Sequence, residues 1–132
     1  MSDEIYDRLS RRERQIMDIL FEQKEATAEE VRSRLPDPPS YSAARAMLAK
    51  LEEKGYIRHS ERNLRYVYRP AVSRRKVQAS AASRLLRVFF DRSLADAVRG
   101  LLDTSSDRLS DRELDQVAEM IEQERQRRRN EK

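Results

Sequence analysis

Three tetrapeptides, Ser10-Arg11-Arg12-Glu13, Thr27-Ala28-Glu29-Glu30 and Ser110-Asp111-Arg112-Glu113, share one pattern: a hydroxyl residue followed three positions later by glutamate. In such a capping box the hydroxyl accepts from the backbone N–H three residues on, and the glutamate reaches back to the N–H of the hydroxyl residue. Each box therefore marks where a helix begins. Three such starts in 132 residues, with only two glycines and four prolines to interrupt the helices they open, commit the chain to a mainly helical fold.

The apolar spacing fills in the elements. Ile16, Met17, Ile19 and Leu20 fall on one side of the helix after Ser10, and Val31 and Leu35 do the same after Thr27 before Pro36 stops that helix. A third helix follows Asp37-Pro38-Pro39-Ser40, with Ala44, Met47, Leu48 and Leu51 on one stripe and Gly55 as its terminator. Two runs of strand-forming residues come next, YIRHSE (56–61) and RYVYRP (65–70), separated by Arg62-Asn63-Leu64. Three helices followed by a β-hairpin is the order of a winged helix-turn-helix domain, which this reading assigns to residues 1–71. Tyr66 and Tyr68 are expected to pack against its core.

Residues 72–132 have a different character. They hold three amphipathic helices: one from Ser73 with Val77, Ala81, Leu85, Val88 and Phe89, one from Ser93 with Leu94, Ala97, Val98, Leu101 and Leu102, and one from Ser110 with Leu114, Val117, Ala118 and Ile121. About sixty residues enclose too little volume for an independent core, so their apolar faces need a cover. The economical cover is a second copy of the chain about a two-fold axis. Val77, Leu85, Val88, Phe89, Leu94, Val98, Leu101, Leu102, Leu114, Val117 and Ile121 are the expected dimerisation residues. The tail EQERQRRRNEK has no apolar spacing and is expected to fray.

Charged residues make up 39% of the chain while its net charge is only +4, so local patches matter more than the total. Residues 40–76 hold ten Lys and Arg against three acids, a surplus of seven. If Ala44, Met47, Leu48 and Leu51 face inward on the third helix, then Ser42, Arg45, Ala46, Ala49 and Lys50 face outward. Small side chains let a helix backbone come close to base edges in a major groove, and arginine can grip guanine or a phosphate. Taken alone, such a face also suits a solvated helix rich in good helix formers. The neighbouring hairpin tips the balance, since Arg58, Arg62, Arg65 and Arg69 decorate it and arginine suits phosphates and narrow minor grooves. Tyr41, Ser42, Arg45, Ala46, Lys50, Arg58, Arg62 and Arg65 are the candidate contacts to double-stranded DNA.

Other chemistries lack their residues. Without cysteine there is neither a disulfide framework nor a thiolate metal site, and His59, the single histidine, cannot supply a metal cluster. No Gly-rich phosphate loop, paired catalytic carboxylates or nucleophile with an orienting base is present, so neither an enzyme nor a cofactor is expected. The acidic N-terminus has no apolar run, and no stretch approaches membrane-spanning length, which points to a cytoplasmic protein without membrane insertion. A winged-helix module that docks onto protein and reads no specific DNA is the alternative from another class.

Four strings, LSRRERQIMDILFEQKEATAEEVRSRL, YSAARAMLAKLEEKGYIRH, RYVYRP and RLLRVFFDRSLADAVRGLL with the later LSDRELDQVAEMIEQ, together resemble the penicillinase repressor family (BlaI/MecI/CopY) over about residues 8–123. The resemblance implies a homodimeric repressor whose N-terminal winged helix reads a palindromic operator through its third helix and whose C-terminal helices form the dimer. The family's base-contacting segment falls on Ser42, Ala43, Arg45 and Ala46. Arg45 matches the family arginine, while the other three stand where members carry Lys- or Thr-type residues. The resemblance also implies a partner, a membrane-bound sensor metalloprotease or its effector, whose signal leads to cleavage at an Asn-Phe bond. That bond aligns near Gly100 and Leu101 and is not matched, and the cysteine-rich tail of the copper-responsive branch is missing.

Overall fold

The structure, a computed structural model, describes residues 8–131. It is mainly helical, with six helices and a small antiparallel sheet: α1 (Arg11–Gln23), β1 (Ala26–Thr27), α2 (Ala28–Arg34), α3 (Tyr41–Glu53), β2 (Ile57–Arg62), β3 (Arg65–Pro70), α4 (Arg74–Phe89), α5 (Leu94–Ser105) and α6 (Asp111–Asn130). The chain divides into two compact units between Leu85 and Leu86, inside α4.

In the first unit both capping boxes form in full. Ser10 Oγ accepts from the Glu13 N–H while Glu13 accepts from the Ser10 N–H, and Thr27 and Glu30 do the same for α2. Glu13 is 6% exposed and also receives Lys54 Nζ at 2.9 Å, so one carboxylate ties the start of α1 to the end of α3. Burial raises the Glu13 pKa, but hydrogen bonds from the Ser10 backbone and from Lys54 outweigh it and hold the group below its ordinary value. Leu9, Ile16, Met17, Leu20, Val31, Leu35, Leu48, Leu51, Ile57 and Tyr68 close into one buried core, in which the stripes of α1, α2 and α3 take part.

Between α2 and α3, Pro36, Pro38 and Pro39 leave no room for a helix, and Arg12 donates to the carbonyls of Pro36 and Asp37 at 2.6 and 2.7 Å, pinning the turn. Ser40 Oγ accepts from the Ala43 N–H at 3.1 Å and starts α3. Gly55 ends it: its φ of +88° permits a left-handed cap in which the Tyr56 N–H reaches the Leu51 carbonyl at 3.1 Å and the Gly55 N–H reaches Glu52 at 3.0 Å.

The sheet has the order β1-β3-β2. β1, only two residues long, was not foreseen, because Ala26 and Thr27 carry no strand pattern of their own and pair with Tyr68 and Val67 only through tertiary contact. Strands β2 and β3 meet in a two-residue turn, Asn63-Leu64, with Arg62 opposite Arg65 as the last pair. Both turn residues have positive φ, +52° and +65°, matching the right-handed twist of a hairpin.

In the second unit, Ser93 and Ser110 cap α5 and α6 by accepting from Asp96 and Glu113 N–H groups. The expected box at Ser110 is half formed, with no return bond from Glu113. Gly100 of α5 lies under the Phe90 ring, where a Cβ would come within 3.2 Å of two ring carbons. The expected fraying of the tail is corrected: α6 runs to Asn130, with Glu124 paired to Arg127 and Arg128, and Glu131 to Arg127. Such i, i+3 and i, i+4 pairs, with arginines at the negative end of the helix dipole, support helix without apolar packing. No helix among the described residues is long and apolar enough to cross a membrane.

Candidate nucleic-acid interface

Helix α3 turns the faces its pattern predicts. Ala44, Leu48 and Leu51 are buried, whereas Tyr41, Ser42, Arg45, Ala46, Ala49 and Lys50 are exposed. Ala43 is half-buried near the cap, and Ser42 Oγ lies 3.3 Å from Ser40 Oγ. The outward surface is thus a strip of small side chains with Arg45 in its middle.

Arg45 is not a free-swinging cation. Its Nη1 donates to the Tyr41 hydroxyl at 3.3 Å, and its guanidinium carbon lies 5.9 Å from the Tyr41 ring centroid and 5.2 Å from that of Tyr66. The Tyr41 hydrogen bond, followed by the Tyr68 hydroxyl, raises the already high pKa of Arg45. Tyr68 is 2% exposed and belongs to the core as expected. Tyr66 does not: at 37% exposed it stands on the surface, and the expectation that it packs inward is corrected. The cause is the register, which places Tyr66 opposite Glu61, beyond the reach of the core.

Between α3 and the hairpin lies a groove of about 450 Å³ lined by Thr27, Tyr41, Arg45, Leu64, Arg65 and Tyr66. Arg58, Arg62, Arg65 and Arg69 are all exposed. The register sets them directly across from one another, Arg58 opposite Arg69 and Arg62 opposite Arg65, on one face of the ribbon. Like charges in directly opposed positions disfavour a hairpin. Part of that repulsion is relieved by Glu25, whose two oxygens receive Arg62 Nη1 and Nη2 at 2.6 and 2.9 Å. The Arg62 hydrogen bonds hold Glu25 below the ordinary carboxylate range.

Glu25 was missed by sequence reasoning, because only the pairing of β1 with β3 brings it to the wing. Glu52 was missed as well: it accepts from His59 Nδ1 at 2.8 and 2.7 Å. Its signal was present, since Glu52 follows Arg45 by seven residues and so shares its helix face.

The family comparison decides what this arrangement belongs to. A family model described as Penicillinase repressor matches residues 9–123. The chain belongs to the penicillinase repressor family. As a member of it, the protein is a DNA-binding transcriptional regulator with a winged helix, and the resemblance drawn from the four strings holds across both units. No curated protein matches the sequence. Among solved structures, the chain is similar to the oxidized form of MarR from E. coli at 12% identity and a TM-score of 0.49, with 92% of this chain and 81% of that chain covered.

The penicillinase repressor module also carries apolar surface in its second unit. Val88, Phe89, Leu94, Leu101, Leu114 and Ile121 are exposed, Phe89 by 71%, and Val98, Leu102 and Val117 are half-buried, as is Leu85 at the end of the first unit. A groove of about 370 Å³ runs between Leu94, Val98, Leu102 and Ile121. Val77 differs from the other dimerisation candidates, being buried within the first unit with little surface left to offer. Among the described residues no cluster of three or more His, Cys, Asp or Glu is placed to hold a metal ion.

Proposed function

We propose that the protein is a homodimeric repressor that reads a palindromic operator through α3, with the arginine wing on the flanking backbone. Arg45 carries this reading: it is an exposed cation in the middle of a helix face that otherwise shows Tyr41, Ser42, Ala46, Ala49 and Lys50, beside a groove that the wing completes. The DNA-binding part comprises residues 1–71, and the exposed apolar side chains from Val88 onward form the dimer, since solvent-facing Phe, Leu and Val in such density mark an interaction surface. Two α3 helices related by a two-fold axis would meet half-sites about one helical turn apart or a multiple of it. Relief of repression by a signal such as sensor-linked proteolysis belongs to the same reading.

Selection from a randomised duplex library by the wild-type protein is expected to return dyad-symmetric sequences, and sedimentation a dimer. Arg45→Ala is expected to weaken binding to the selected duplex about tenfold or more, with a smaller loss on a scrambled duplex. A monomer that enriches no sequence would instead support a protein-interaction module.

A further inference from the structure

Four side chains from three elements close a circuit around the wing's root. Arg45 of α3 lies over the Tyr66 ring of β3. Tyr66 stacks on the His59 ring of β2, with centroids 4.0 Å apart and planes 14° from parallel. His59 Nδ1 meets both oxygens of Glu52, which returns the circuit to α3 two turns below its start. A carboxylate only accepts, so Nδ1 carries the hydrogen and the ring orientation is fixed from behind. Tyr68, buried, tilts against the same histidine at 5.8 Å and closes the floor.

This arrangement exceeds what folding needs. Tyr66 is more than one-third exposed, and Arg45, with its many rotamers, would gain entropy by swinging into water. Instead its guanidinium is held at the groove by two tyrosines, at a distance where a cation and an aromatic face attract. An arginine held in place loses less freedom when it engages a base, which favours a contact that demands a fixed orientation over one that merely needs charge.

We propose that Tyr66 is the positioning residue for Arg45, and that His59 and Glu52 hold Tyr66, so that the wing sets the aim of the reading helix. The inference rests on the proposed role of Arg45 in reading DNA, but the circuit can be tested without DNA.

Two measurements test it. In the free protein, the Arg45 Nε–H order parameter from ¹⁵N relaxation should fall in Tyr66→Leu and in Glu52→Ala, and stay near wild type in Tyr66→Phe, which keeps the ring. An Arg45 that stays equally ordered in both damaging variants overturns the proposal, whatever the protein binds. On the selected duplex, Tyr66→Leu should weaken binding about fivefold while changing the scrambled duplex less than about twofold, and in an Arg45→Ala background its further effect should shrink to less than about twofold. Full multiplication of the two losses overturns the positioning role, because Tyr66 would then contact DNA on its own account. If Arg45→Ala itself leaves the selected duplex unaffected, the reading of α3 fails, and the relaxation measurement still decides whether Tyr66 orders Arg45. Unfolding midpoints of the variants verify that each is folded, and Glu52→Ala serves if Tyr66→Leu is not.

Discussion

Glu13 sits where two demands meet, capping α1 and neutralising Lys54 from the far end of α3. Its removal leaves the Ser10 N–H without a partner and takes the carboxylate from Lys54, which is exposed and can turn to water, so Glu13→Ala should cost about 1 kcal/mol in urea unfolding. The pH dependence has a definite sign. The folded-state pKa lies below the ordinary value of 4.5, so Glu13 stabilises the fold fully above that value and stops doing so as pH falls through the lower folded one. Wild type should therefore lose more stability than Glu13→Gln as pH falls below the ordinary value of 4.5. Parallel losses in the two proteins would show that Glu13 is not depressed. A contrasting residue is Ser80 of α4, whose hydroxyl is fully buried and reaches no hydrogen-bond partner among the described residues.

Among the elements, the wing is where local preference and structure disagree most. A two-residue turn with both residues at positive φ ordinarily ends in glycine, and here it ends in Leu64, 96% exposed. Leu64→Gly should stabilise the domain by about 1 kcal/mol, since the side chain buries nothing and its Cβ opposes the left-handed backbone. A destabilised variant in thermal unfolding would show that Leu64 makes a contact in solution. The helices were legible because their signals are local: a capping box and an apolar stripe are complete within a dozen residues, as Ser10 to Leu20 shows. The hairpin was legible in its strands but not in its turn, which the missing glycine concealed. Strand β1 and the Glu25 ion pair were illegible, because Ala26 acquires its partner from Tyr68 more than forty residues away. The outward face of α3 was read correctly from its buried stripe, while the aromatic surroundings of Arg45 depend on hairpin register, which the turn alone determines.

At the scale of the whole molecule, the basic surplus and most of the exposed large apolar side chains fall in different stretches of the sequence. The surplus lies between residues 40 and 76, and the exposed large apolar side chains gather from Val88 onward. The wing's arginines do not all count equally, however. Arg62 already holds Glu25 through two hydrogen bonds, so for a phosphate to take it one anion must be exchanged for another. The number of condensed cations displaced from a duplex, and with it the slope of log affinity against log salt, should fall short of the count of basic side chains at the interface by about one. Glu25→Gln should restore that missing increment, steepening the slope by about 0.9 and tightening binding to any duplex at low salt, with no gain in discrimination. An unchanged slope would mean that Arg62 stays outside the DNA contact altogether. A single carboxylate on the loop before β1 thereby sets how far ionic strength, rather than sequence, governs the protein's residence on DNA.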